Sequence, residues 1–133
     1  MAWLQEVNAK FDRNLNSFYI LIESKEAYTQ TSELSFRNKL NKQYNLSGNW
    51  VVALCDLQLY TGDLHPQPAG NTVYIFCDII TETQIGKTDE QLLRRVPIRD
   101  SDISKGWLVI DFQTPYYIPL KITTLTEIGI RIK

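Results

Sequence analysis

Alanine, the strongest helix former, is scarce in this sequence: 5 of 133 residues. So are residues that mark fibrous or crosslinked chains. Six Gly and five Pro exclude collagen-like and low-complexity sequence. Two cysteines, Cys55 and Cys77, allow one disulfide at most. Both lie in apolar runs, and Met1–Lys10 has no apolar segment of a secretory signal. They read as small buried hydrophobes in a reducing compartment. Charge of one sign is missing too: 14 Lys and Arg against 15 Asp and Glu leave −1. A large phosphate-binding footprint needs a basic excess, so no specific nucleic acid partner is expected. No run reaches the ~18 apolar residues of a membrane helix, so no membrane partner is expected either.

Histidine is nearly absent. His65 is the single one, in a loop rich in Gly and Pro, whereas a cupin-type metal site needs two or three. No Gly-rich phosphate cradle, C-x-x-C or H-E-x-x-H is present, and no G-x-S-x-G elbow accompanies His65. The expectation is a chain that is not an enzyme and holds no metal or cofactor.

Side-chain shape is what the sequence has in quantity. Fourteen Ile, 6 Val and 11 Thr, with 7 Tyr, 5 Phe and 3 Trp, suit pleated, half-buried strands. The one helical pattern is at the start. Leu4, Val7, Phe11 and Leu15 recur at steps of three and four beside Trp3, forming an apolar stripe. A helix this short needs a surface to lie on, either its own domain or a neighbouring chain. Residues 1–16 are therefore read as a helical arm and 17–133 as the β domain.

From residue 18 the period changes to two. Phe18–Ile22 is a short apolar run, Ser24–Glu33 a polar loop, and Leu34–Leu40 a strand with one wet face. Trp50–Tyr60 reads as one strand with Val51, Ala53, Cys55, Leu57 and Leu59 on a common face. Thr61–Asn71 is the clearest loop. Thr72–Ile80 and Leu92–Ile98 are strands, the latter ended at an edge or boundary by Pro97. Gly86–Glu90 is polar, Arg99–Gly106 a charged loop, and Trp107–Phe112 a strand. Thr124–Lys133 places Ile128, Ile130 and Ile132 on one face. Seven or eight strands with regular turn signals predict an antiparallel β-sandwich or barrel.

Three groups of residues invite a functional reading. Asp56 and Asp78 each follow a cysteine in an apolar strand. They could be the paired carboxylates of a small hydrolase, or lie on a wetter face, or pair with Arg94 or Arg95. Arg94, Arg95 and Arg99 form the densest basic cluster, either solvated surface or a salt-bridged subunit contact. Tyr116 and Tyr117, between Pro115 and Pro119, suit an interface or, with Trp107, a sugar-stacking surface. A carbohydrate- or ligand-binding β-sandwich module is thus the alternative to a structural protein.

Several segments resemble a known family in order and spacing. Gly48–Leu57 is similar to a G-x-W-x-V-A-L-x-[DE]-[LI] segment, and Val73–Ile80 to a Y-V-Y-C-D-I-I strand. Ile85-Gly86 with Leu92–Ile98 resembles V-G…L-L-R-x-V-P. Tyr116–Leu120 resembles x-Y-V-P-L ahead of an I-x-I-x-I strand at Ile128–Ile132. The set, over residues 18–132, resembles the penton-like minor capsid proteins of Polinton/Maverick elements and related adintovirus- and virophage-like viruses. The resemblance implies a single jelly roll of eight strands, with Trp50, Tyr74, Phe76 and Leu93 as packing positions. It also implies a homo-oligomer, most simply a pentamer at a virion vertex assembled inside the host cell, beside a double jelly-roll major capsid protein. Candidate contact residues are Trp3, Leu4, Val7 and Phe11 of the arm with Arg94, Arg95, Tyr116 and Tyr117. Family members usually continue past the I-x-I-x-I strand with a further strand, so an open sheet edge beside the last strand is expected.

Overall fold

The computed structural model describes residues 18–23, 29–32, 35–60, 72–85 and 88–133. The helical arm at residues 1–16, with Trp3, Leu4, Val7 and Phe11, lies outside them, as does His65. The fold is all-β and antiparallel, with one 3-10 turn, Asp100–Asp102, as the single helical element among the described residues. No helix among them is long and apolar enough to cross a membrane.

The described residues form twelve strands: β1 (Thr29–Ser32), β2 (Ser35–Asn45), β3 (Val51–Val52), β4 (Asp56–Tyr60), β5 (Thr72–Cys77), β6 (Thr83–Ile85), β7 (Thr88–Glu90), β8 (Leu92–Pro97), β9 (Ile103–Ser104), β10 (Trp107–Asp111), β11 (Ile118–Pro119) and β12 (Thr124–Ile132). A five-stranded sheet has the order β1-β2-β12-β5-β8, and a three-stranded sheet the order β4-β10-β9. Their inner faces share one core. Phe36, Ile75, Leu93, Val96 and Ile128 come from the first sheet, and Leu57, Leu59 and Leu108 from the second. Alternation explains the choice: each is an inward position of a period-two strand, worth roughly 1.5–3 kcal/mol on full burial.

The pairings are nested. β2 pairs with β12, β3 with β11, β4 with β10, β5 with β8, and β6 with β7. Every one closes about the β6–β7 hairpin, so the chain runs as one long folded ribbon. Two further pairings curl that ribbon. β12 also pairs with β5, and an isolated antiparallel bridge joins Ile80 to Leu120. Thr81 N donates to Pro119 O and Lys121 N to Ile79 O, each at 3.0 Å, and Leu120 N donates to Trp50 O at 3.1 Å. This lays Ile79–Thr81 against β11, whose other side carries β3.

Several sequence expectations need correction. Trp50–Tyr60 is not one strand. The ladder breaks at Ala53–Cys55, so Val51 is exposed while Leu57 and Leu59 are buried. Strand also occurs in stretches read as loop, at β1 and β9, and in the stretch read only as polar, at β7. Phe18–Ile22 joins no ladder. It packs instead: Phe18 stacks on Tyr44 at 4.9 Å and meets Trp50 edge-on at 5.9 Å, Ile22 is buried, and Asn38 Nδ2 donates to Glu23 O at 2.8 Å. The open edge expected beside the last strand is not found, because β12 is flanked by β2 and β5; among the described residues the edges of that sheet are β1 and β8. Pro97 does end β8 on an edge. Lys105 and Gly106, both at positive φ, form the two-residue turn between β9 and β10. A tight turn of this kind needs the left-handed region twice.

Candidate functional site

The structure separates Asp56 from Asp78. Asp56 lies on the outer face of β4–β10, whereas Asp78 follows β5 on the outer face of the five-stranded sheet. A paired-carboxylate site built from these two is therefore not assembled. The partners expected for them, Arg94 and Arg95, are not the ones found.

Asp78 is held by Arg37, whose Nη1 donates to Oδ2 at 2.5 Å, and by the backbone N–H of Gly129, which donates to Oδ1 at 2.9 Å. Arg37 Nη2 also lies 3.4 Å from Glu127 Oε1. Gln91 Nε2 donates to the carbonyls of Asp78 and Ile80, at 2.9 and 3.0 Å, and fixes the chain leaving β5. Both oxygens of Asp78 are thus occupied in structural contacts. Beside this cluster is a shallow cleft of about 450 Å³, lined by Arg37, Glu82, Glu90 and Arg131 among others. The described residues include no group of three or more His, Cys, Asp or Glu placed to hold a metal ion.

The outer face of β4–β10 is graded along the strands. Tyr60 is in register with Trp107, Gln58 with Val109, and Asp56 with Asp111. The two rings lie 5.4 Å apart, tilted at 58°, and Tyr60, Trp107 and Val109 are exposed. At the other end two carboxylates face each other directly across the strands, an arrangement that disfavours pairing. No Lys or Arg among the described residues forms a salt bridge with either. Burial pushes the Asp56 carboxyl up, and the charge of Asp111 and a hydrogen bond with it add to the shift. Burial, then the charges of Asp56 and Asp111, also raise the Cys55 thiol. Cys77 is buried and its thiol is pushed up to about 12, chiefly by desolvation. Both cysteines are free.

The raised Asp56 makes stability depend on pH in a definite direction. Its folded-state pKa lies above the unfolded one, so protonation favours the fold. That contribution is complete below the unfolded value, 3.8, and is lost as pH rises through the folded value. Asp56→Asn should therefore be more stable than wild type at neutral pH and lose the advantage in acid. Urea melts of both proteins between pH 3 and 7 check this; a stability difference that does not change with pH would contradict it.

Beyond the Arg37–Asp78–Glu127 cluster, one end of the outer face of the five-stranded sheet carries cations. Tyr74 is in register with Arg95 on one side. On the other it exchanges two backbone hydrogen bonds with Lys133, at 2.8 and 2.9 Å. In the next row Arg131 is in register with Phe76. The Arg131 guanidinium lies 4.5 Å from the Phe76 ring centre and the Lys133 ammonium 5.9 Å from it. These cations cover an aromatic that points away from the core. Of the four positions the resemblance marks as packing, Leu93 is in the core and Trp50 packs against it. Tyr74 and Phe76 pack on this outer face.

Arg94 and Tyr116–Tyr117 meet in one place. Arg94 Nη1 donates to Thr114 O at 2.9 Å, and the guanidinium lies 4.0 Å over the Phe112 ring. Arg94 is therefore a clamp on the loop that presents the tyrosines rather than a free charge. Buried Ile118, paired with Val52, anchors the loop's far end. Tyr116 and Tyr117 stand 67% and 63% exposed between these anchors. Arg95 is exposed on β8, and Arg99 is exposed as well. Sequence reading missed Tyr60, Asp111, Arg37, Gly129, Arg131 and Lys133. Their signal is cross-strand register, which appears only once the strand partners are known. No protein-family model, curated protein or solved structure matches the chain.

Proposed function

We propose that this protein is a self-assembling structural subunit: a single jelly roll of capsid type, serving as a penton-like minor capsid protein of a Polinton-type virus or element. The nested pairing carries this reading. A jelly roll is a long antiparallel ribbon rolled so that its first and third strands both flank its last. β2 and β5 flank β12 in this way, and the Ile80–Leu120 bridge supplies the equivalent closure in the opposite layer. The segments that resemble the capsid family fall on β3–β4, β5, β8, β11 and β12, the strands of that ribbon. The rigidly held tyrosines are suited to a subunit contact, since ordering them costs little further entropy on association. The partners are then further copies of the chain, as a pentamer in a virion, and a double jelly-roll major capsid protein. Negative-stain microscopy with native mass measurement tests the proposal. Rings of five are expected; a monomer throughout the micromolar range would overturn it.

One observation favours a second reading, a saccharide-binding sandwich. The exposed Tyr60–Trp107 pair stands beside Gln58, an amide that could bond a hydroxyl while the rings take the apolar face of a sugar. Glycan-array binding together with a sugar-induced change in Trp fluorescence would favour this reading over assembly.

A further inference from the structure

Part of each outer face carries charge of one sign with no salt bridge among the described residues, acidic on β4–β10 and basic at the Arg95–Lys133 end of the five-stranded sheet. On β4–β10, Asp56 and Asp111 oppose each other with no salt-bridged cation among the described residues. On the five-stranded sheet, Arg95 and Lys133 flank Tyr74 with no salt-bridged carboxylate among the described residues. Like charges set directly across a strand pair, as Asp56 and Asp111 are, weaken an isolated subunit. Local conflicts of this kind occur where a partner relieves them. Each face also has aromatic side chains beside its charges: Tyr60 in register with Trp107 on one, and Tyr74, in register with Arg95, on the other. Tyr and Trp are enriched at contact centres. One chain therefore carries both halves of a complementary contact, and a second copy of the chain is the partner that this charge complementarity selects.

We propose that the carboxylate and aromatic face of β4–β10 on one copy seats against the Lys133–Tyr74–Arg95 row of the next. The contact joins two different surfaces, so it is head-to-tail and gives a ring when successive rotations close. It rests on the assembly reading above and specifies the faces that assembly uses.

Charge exchange tests it. Asp111→Arg and Arg95→Glu each leave one face intact and set like charges against each other in the contact. Sedimentation velocity should show self-association weakened by about tenfold or more in either variant alone. An equimolar mixture of the two should recover association in part, because contacts between unlike variants pair opposite charges, while a closed ring of five must keep at least one contact between two copies of the same variant. The double variant should recover fully, because every contact in it pairs the two exchanged charges. Circular dichroism of each variant reports that the fold is kept, and Lys133→Glu serves as a second probe of the basic row should Arg95→Glu fail to fold. Variants that associate like wild type, or a mixture that stays dissociated, would overturn this choice of faces while leaving wild-type assembly standing. A monomeric wild type would overturn the assembly reading and this inference together.

Discussion

Ile80→Ala is expected to destabilise the protein by about 3 kcal/mol and to lower its melting temperature by about 10 °C. Ile80 is fully buried, and truncation removes three carbons from a packed site. At ~0.8 kcal/mol per buried methylene the transfer loss alone is about 2.4 kcal/mol, and incomplete collapse of the cavity adds to it. The position matters beyond its volume. Ile80 forms the bridge to Leu120, and its carbonyl accepts from Gln91. The bridge is what holds the chain leaving β5 against β11, so that the long ribbon rolls. Tyr116→Ala, on an exposed ring, should stay within about 0.5 kcal/mol of wild type. Urea melts with an unchanged m-value provide the comparison. A loss below about 1 kcal/mol for Ile80→Ala would mean that the site closes around the truncated side chain and leaves no cavity.

The strands were legible where a segment is long and paired along its whole length. β5, β8, β10 and β12 coincide closely with their alternating runs because one face of each is buried in a shared core. The break at Ala53–Cys55 was not legible: Val51, Ala53 and Cys55 keep the alternation of a single strand, while the chain changes its partner from β11 to β10. Periodicity reports which side of a local ribbon is apolar and says nothing about which sheet the ribbon joins. The same limit hid the outer faces. Asp56 and Asp78 look alike in sequence, each after a cysteine, yet one opposes a second carboxylate and the other is held by Arg37, forty-one positions away. In the sequence, Arg94 stands out as a contact residue by its charge alone. Its role in the structure depends on Phe112 and Thr114, which become its neighbours only when β8 and β10 enclose the same core. The tyrosine pair was found because it needs no partner to be noticed: two large rings between prolines have nowhere to be buried.

Gly129→Ala should change sign with its surroundings. In wild type an added methyl carbon at this position would lie 2.5 Å from Arg37 Nη1, 2.8 Å from Asp78 Oδ2 and 3.2 Å from Asp78 Cγ. The arginine can swing away, but the aspartate cannot move without losing the Gly129 N–H that it accepts at 2.9 Å. Displacing that contact and overpacking the site should cost about 2 kcal/mol. The backbone itself does not demand glycine here, since its φ lies outside the left-handed region. Strand glycine is instead disfavoured relative to alanine by roughly 0.5–1 kcal/mol. With the crowding atoms removed, as in Arg37→Ala/Asp78→Ala, adding Gly129→Ala should then be neutral or stabilising by about 0.5 kcal/mol. The cycle isolates one physical cause, because only steric and ion-pair crowding makes the same substitution unfavourable in one background and favourable in the other. Equal costs in both backgrounds, measured by equilibrium unfolding, would show that Gly129 is required for its backbone conformation and not for the approach of the Arg37–Asp78 pair.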